Sequence, residues 1–291
     1  MPLFRRSDGD LVRGEAPVRG IMPYLMRGRN ESCVYQETVF RLTATRVWLK
    51  AYNQTHHPRA TLFHLVAYAC AVVLQERPRL NRFVSGGRLY QRRGTHLAFV
   101  VKTAFTDAGA GATVKLQVHP AETFPDWSAR LAAQVDEARD TVRPVDQEVS
   151  LIMRLPGALV RALVALARGL DRWNLFPSFM IANDPMFSSL FLANLGSVGV
   201  SDVFHHLYEY GNTSIFGAVS APRPAVFPGR DGPRVEPALA VRWTFDERID
   251  DALSCSRSLA VVQRILEDPA RWLGPPEGTP RWGGGTGPAG P

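Results

Sequence analysis

Glu247 lies in Phe245-Asp246-Glu247-Arg248-Ile249-Asp250-Asp251-Ala252, between an apolar run from Ala238 to Phe245 and an amphipathic one from Ala252 to Leu266. A carboxylate in such a place can take the proton of a thiol or hydroxyl if burial raises its pKa toward neutrality. Repulsion from Asp246, Asp250 and Asp251 would hold that proton. The same glutamate can instead pair with Arg248 or Arg242 and serve only the turn or a subunit contact. A second base is on offer in Val203-Phe204-His205-His206-Leu207-Tyr208, because histidine titrates near neutral pH. His206 is the candidate, and a polar loop pair or an interface hydrogen bond accounts for the two histidines equally well.

Other chemistries find less support. The position four after His206 is Tyr210, so the doublet lacks the following acid of a His-His-x-x-x-Asp pattern, and His56-His57 is followed by Pro58, Arg59, Ala60 and Thr61. His56, His57, His205 and His206 have no metal-ligand spacing, so no metal is expected. There is no phosphate-binding Walker loop, and Gly109, Gly111, Gly196 and Gly199 do not form a dinucleotide fingerprint. The net charge of +7 is carried almost wholly by arginines, the lysines being Lys50, Lys102 and Lys115. Those arginines are scattered among acids with no nucleic-acid-binding motif, which argues against nucleic acid as partner. Cys33, Cys70 and Cys255 are too far apart for a CxxC pair and fit small buried side chains in a reducing cytoplasm. The N-terminus turns polar before an apolar signal core can form, so a cytoplasmic location is expected.

The elements that must position these residues alternate between strand and helix. A chain of 291 residues, 45% hydrophobic, can bury one large core. Strand patterns cover 34–45, 97–103, 113–118, 187–194, 214–220 and 238–245, with a Gly-rich turn at 107–111 between the second and third. Helices are predicted near 46–53, over 61–77, which is apolar on nearly every face and stops at Pro78, over 127–139 and over 252–266. Residues 1–20 read as a loose or edge-wrapping arm, 21–273 as one domain and 274–291 as a disordered tail.

A helical insertion over about 151–180 interrupts this alternation. Arg154, Arg161 and Arg168 recur every seven residues, and a helix over 157–172 would put Arg161, Arg168 and Arg172 on one side of an apolar rod. An arginine at the bilayer centre costs at least about 2.5–3.5 kcal/mol and the run is short of a span, so the helix is not expected to cross a membrane. Packing on its own domain or a subunit neighbour, contact with a membrane surface through 157–172, and lining an acyl pocket remain open, the first being favoured.

Three separated segments resemble landmarks of one family. Ala71-Val72-Val73-Leu74-Gln75-Glu76-Arg77-Pro78-Arg79-Leu80-Asn81 is similar to a helix ending in Pro-x-Leu-Asn, Ala193-Asn194-Leu195-Gly196-Ser197-Val198-Gly199 to a Ser-Asn-Leu-Gly-x-x-Gly strand and turn, and Asp246 to Ala252 to Asp-His-Arg-x-x-Asp-Gly. In this order they resemble the catalytic domain of the 2-oxoacid dehydrogenase acyltransferases, relatives of chloramphenicol acetyltransferase, over roughly residues 20 to 270.

The resemblance implies an α/β fold, a chloramphenicol acetyltransferase-like sandwich with a mixed sheet flanked by helices. It also implies a homotrimer or higher assembly of trimers with active sites between subunits, and coenzyme A or an acyl carrier thioester as substrate, with no covalently bound cofactor. In that chemistry a histidine takes the acceptor's proton, an aspartate four residues later fixes the local structure, and a hydroxyl steadies the oxyanion. Here Glu247 stands in the histidine's place, Asp251 keeps the aspartate, Ala193 replaces the serine and Ala252 the glycine.

The chain also resembles a bacterial branch of the family that lacks lipoyl domains and carries Asp-Glu-Arg-Ile at this point. Glu247, Asp251 and His206 are therefore the candidate catalytic residues, with Asn194 and His205 as candidate substrate-binding residues. Loss of a base costs about 10²- to 10⁴-fold and of an oxyanion donor about 10²- to 10³-fold. Altered acyl transfer or a catalytically silent trimeric scaffold that binds an acyl ligand are the two readings.

Overall fold

Period-two patterns of β-branched and aromatic residues, separated by helices with one apolar stripe, can bury their faces only by laying helices on a sheet. A computed structural model of the chain describes residues 5–102, 111–140 and 150–277. The Gly-rich turn expected at 107–111 falls, but for Gly111, outside them, as does most of the tail expected from 274.

In chain order the elements are β1 (Gly9–Leu11), α1 (Pro17–Leu25), β2 (Cys33–Arg41), α2 (Thr43–Thr55), α3 (Leu62–Glu76), β3 (Arg82–Ser85), β4 (Arg88–Arg92), β5 (Thr95–Lys102), β6 (Gly111–Val118) and α4 (Phe124–Asp140). Then come α5 (Gly157–Arg172), α6 (Ser178–Asn183), β7 (Leu190–Asn194), β8 (Ile215–Val219), β9 (Arg223–Phe227), β10 (Arg234–Asp246), α7 (Ala252–Glu267) and α8 (Pro269–Leu273).

The main sheet has seven strands in the order β2-β10-β8-β7-β5-β6, with β9 on the free stretch of β10. It is mixed, as expected: β7 runs parallel to both β5 and β8, and the remaining pairs are antiparallel. Its register assigns each side chain to a face. Val241, Trp243 and Phe245 of β10, Ile215 and Val219 of β8 and Leu190 and Leu192 of β7 point into one core together with side chains of α2, α3, α4 and α7. The alternate residues Ala98, Phe191 and Phe216 point to the other face, where Leu207 covers them.

α3 is the centre of the helical layer, with every residue from Phe63 to Leu74 buried. Its N-terminus is capped by the Thr61 hydroxyl, and Pro78 ends it where its missing N–H and ring can no longer be accommodated. Gly217 marks the tightest approach within the sheet. A Cβ there would lie 2.7 Å from Leu192 Cδ2 and 2.8 Å from the Trp243 ring, so no larger residue fits between these side chains.

A second sheet, β1-β4-β3, is made by the N-terminal segment pairing along the edge of the β3–β4 hairpin. Arg6, just before β1, has a side chain only 1% exposed and binds both Asp8 and Asp171. Residues 6–11 therefore wrap an edge, and α1 runs across the boundary expected at residue 20.

Candidate active site

β10 delivers Asp246 to its last position, opposite Cys33 of β2, and the chain turns there. The Asp246 amide donates to Ser214 O at 2.9 Å, the Glu247 amide to Ser32 O at 3.0 Å and the Ile249 amide to Asp246 O at 3.1 Å. Asp246 is fully buried and takes a two-pronged contact from Arg248, Nε to Oδ1 at 2.8 Å and NH2 to Oδ2 at 2.7 Å. Ser32 Oγ adds a third bond to Oδ1 at 3.0 Å, and Arg248 NH1 donates to Met26 O at 2.9 Å. Such a fork-on-carboxylate pair fixes direction as well as distance. The turn is therefore a rigid platform, and Glu247 stands on it.

The Glu247 side chain is half-buried. Its backbone carbonyl accepts from Arg19 NH2 at 2.8 Å, while among the described residues its carboxylate has no hydrogen-bond or ion-pair partner. Neither arginine that the sequence offered as a counter-ion takes that role. Arg248 is bound to Asp246, and Arg242 pairs with Glu37 and, at 2.5 Å, with Asp202.

The acids expected to crowd Glu247 are each engaged elsewhere. Asp246 belongs to Arg248, and Asp250 accepts from Arg79 Nε at 3.1 Å. Asp251, exposed, is the N-cap of α7, its Oδ1 accepting from the Ser254 amide at 2.7 Å. Asp251 thus stabilises the start of the helix that follows the turn.

The segment after β7 crosses the open face of the sheet and carries the histidines. His205 stacks on Phe216 with ring centroids 3.9 Å apart, and its carbonyl accepts from Thr244 Oγ1 at 2.5 Å. Burial against that face lowers the His205 pKa. His206 is exposed, packs edge-on to Tyr208 at 5.0 Å, and its Nδ1 lies 3.0 Å from Leu207 O. Thr244 precedes Glu247 by three residues, about 10 Å along the strand, so the histidine segment borders the glutamate's end of the sheet without a direct bond to it.

Asn194 and Ala193 lie elsewhere. Asn194 is opposite Val219 of β8, and Val219 is opposite Val241 of β10, six residues before Glu247. At about 3.3 Å per residue that is roughly 20 Å along the sheet, in addition to the two strand spacings across it. Within one chain, the glutamate and the asparagine sit at opposite ends of the sheet. A site that uses both must take them from different copies.

α5 is a single helix, as the sequence predicts, but none of its residues is buried. It does not lay a face on its own domain. Only its last turn is anchored: Ala167 and Leu170 pack against Phe176, Ile181 and Phe187, and Asp171 accepts from Arg6 and from Ser85 Oγ. Gly86, in the β3–β4 turn at φ +57°, abuts the Arg172 carbonyl so closely that a Cβ would clash there. The reading from residue types missed the cleft that this docking creates, which brings Arg27 and Arg29 together with Arg168 and Arg172.

Among the described residues no group of His, Cys, Asp and Glu side chains is placed to hold a metal, and no helix is long and apolar enough to cross a membrane.

No protein-family model and no curated protein sequence matches the chain. Solved structures do. A probable dihydrolipoamide acetyltransferase from Listeria monocytogenes 4b F2365 superposes with a TM-score of 0.58 at 14% identity, over 93% of this chain and 99% of that one. The cubic core of the pyruvate dehydrogenase multienzyme complex gives 0.58 at 14%, over 89% and 93%. A chloramphenicol acetyltransferase gives 0.57 at 13%, over 89% and 99%. The likeness runs through nearly the whole of each chain, and the fold is that of dihydrolipoamide acetyltransferase catalytic cores and chloramphenicol acetyltransferase.

Proposed function

We propose that this protein is an acyltransferase of altered chemistry, in which Glu247 replaces the histidine base and moves an acyl group from coenzyme A or a carrier thioester to a thiol or hydroxyl. One observation carries the reading. A half-buried carboxylate without a partner among the described residues stands on a turn fixed by the buried Asp246–Arg248 pair. A glutamate kept for structure would be expected to pair with an arginine beside it; Arg248 and Arg242 are held by other acids, and Arg19 binds only the Glu247 backbone carbonyl.

In the proposed reaction the acceptor's S–H or O–H gives its proton to Glu247 while its sulfur or oxygen bonds to the acyl carbon. The tetrahedral intermediate then expels the donor thiolate, which recovers the proton from Glu247, so the enzyme ends as it began. With alanine at 193 the serine hydroxyl is gone. The Asn194 amide, which has no side-chain hydrogen bond among the described residues, is the donor we assign to the acyl carbonyl. Because Asn194 and Glu247 lie at opposite ends of one sheet, the reading places each site between two copies of the chain, in a homotrimer or an assembly of trimers.

Thiol release from a panel of acyl-coenzyme A donors with thiol and alcohol acceptors tests this. Glu247→Gln should lower turnover by about 10²- to 10⁴-fold while leaving donor affinity near that of the wild type. Ala193 supports the second reading, a silent trimeric scaffold that binds an acyl ligand. That reading holds if no donor turns over and the double variant Glu247→His, Ala193→Ser gains nothing.

A further inference from the structure

The cleft between the end of α5, the β3–β4 turn and the loop after α1 is lined by neither Glu247 nor Asn194. It is half open and offers about 330 Å³, within the range of small-molecule sites, and Arg27, Arg29, Arg168, Arg172 and Arg248 line it. The lining also holds Asp171 and Glu209. Asp171 is already bound by Arg6, and Arg248 by Asp246. Among the described residues, no carboxylate lies within ion-pair distance of the guanidinium groups of Arg27, Arg29, Arg168 or Arg172.

Arg29 makes the case strongest. The residue is only 6% exposed, and its guanidinium is held by backbone carbonyls alone: NH1 donates to Glu209 O at 3.1 Å and to Tyr208 O at 3.3 Å, and NH2 to Val84 O at 3.1 Å. Among the described residues its buried Nε has no hydrogen-bond partner. Asp246, Glu209 and Asp171 act on this guanidinium only from beyond ion-pair distance; burying a guanidinium without a paired anion is costly, and arginine does not escape the cost by shedding its proton.

We propose that this cleft binds a phosphorylated small molecule, with Arg168 and Arg172 of α5 closing over a phosphate from one side and Arg27 and Arg29 facing it from the other. A phosphate dianion brings two charges and several acceptor oxygens that match the guanidinium fork, where a monocarboxylate would leave most of the positive charge uncompensated. The arginines converge on one half-open cleft instead of running as a track along a surface, which selects a small molecule over a nucleic-acid backbone. Two sources carry the group: a phosphorylated acceptor, or the nucleotide portion of a thioester donor. The assignment of the cleft stands without the acyl-transfer reading.

Calorimetric titration of the full chain distinguishes these cases, with pyrophosphate, glycerol 3-phosphate and adenosine 3′,5′-bisphosphate as probes and acetate as comparator. Wild type should bind at least one phosphorylated probe saturably and acetate not at all. The double variant Arg168→Gln, Arg172→Gln should lose at least about tenfold in affinity. Arg161→Gln, on the same helix but outside the cleft, should change affinity less than about twofold. Both helix positions are exposed, and circular dichroism of the variant should match the wild type. Tightest binding of the bisphosphate assigns the site to a donor, and of glycerol 3-phosphate to an acceptor. Glu247→Gln should bind the probes as the wild type does, so loss of transfer and loss of this site remain separable. Absence of saturable binding, or equal binding by the double variant, overturns the proposal.

Discussion

Two arginine-rich regions of this molecule are built on opposite terms. At the turn after β10, Arg248 has Asp246, Arg79 has Asp250, and Arg242 has Glu37 and Asp202. In the cleft under α5, Arg27, Arg29, Arg168 and Arg172 have no such partner among the described residues. Where a cation has its own anion, as these three do, the arrangement holds backbone in place and asks nothing of a ligand. Where the anion is missing, the charge is available. The same residue type therefore fixes structure in one place and defines a binding site in the other, and which it does depends on whether a carboxylate has been folded against it.

The sharpest break of this contrast is at the buried pair. Asp246→Ala leaves Arg248 only 3% exposed and without its carboxylate. Unfolding in urea should show a loss of about 3–5 kcal/mol. Exchanging both residues for apolar ones of similar volume, Asp246→Leu with Arg248→Met, should recover most of that loss. A single variant as stable as the wild type would mean that the platform under Glu247 is not held by this pair.

His64 supplies an intermediate case, a titratable group buried with no charged partner among the described residues. Its Nδ1 lies 3.0 Å from Ser128 Oγ, and burial lowers its pKa to about 4. Histidine can answer burial by losing its charge, and arginine does not, which is why an unpaired Arg29 points to a ligand and a buried His64 does not. In the unfolded chain His64 regains its ordinary pKa of 6.5. Between pH 6.5 and about 4 the unfolded state therefore holds more protons, and the stability that His64 contributes, complete above pH 6.5, is lost as the pH falls through this window. The full effect is on the order of 2–3 kcal/mol. Thermal melts against pH should be steeper for the wild type than for His64→Gln across this interval. Parallel curves would remove His64 from the account.

The paired region was more legible in the sequence than the unpaired one. The ordered landmarks around Asn81, Asn194 and Asp246 announced the fold, because motifs confined to a few consecutive residues survive in one dimension. The strong patterns of α3, β10 and α7 did the same for the core, α3 as a run apolar on nearly every face and the other two by the period of their own element. β3 and β4 escaped notice because they are short and begin or end in arginine.

The apolar content of α5 suggested burial, and the helix has none, since composition does not say whether a neighbour exists. The arginine cleft could not be read at all. Arg29 and Arg168 are far apart in sequence and meet only through the docking of α5 on the β3–β4 turn. Nor could the sequence show that Glu247 is left without a counter-ion among the described residues, because Arg248 beside it is available until Asp246 is seen to hold it.

Asp251 gives the smallest effect and the finest division between structure and chemistry. Its carboxylate accepts from the Ser254 amide and is exposed, which assigns it to capping α7. Asp251→Ala removes that acceptor and should cost about 1 kcal/mol in urea unfolding, with a correspondingly small fall in melting temperature. Asp251→Asn keeps an oxygen at the same position and caps nearly as well, so it should restore both stability and whatever transfer activity Glu247 supports. The two variants differ from each other in the cap, and both differ from the wild type in charge. If Asn is as damaging to turnover as Ala, the negative charge acts on the reaction at Glu247. If Asn behaves as the wild type, Asp251 belongs wholly to the structural side of the contrast, with Asp246 and Asp250.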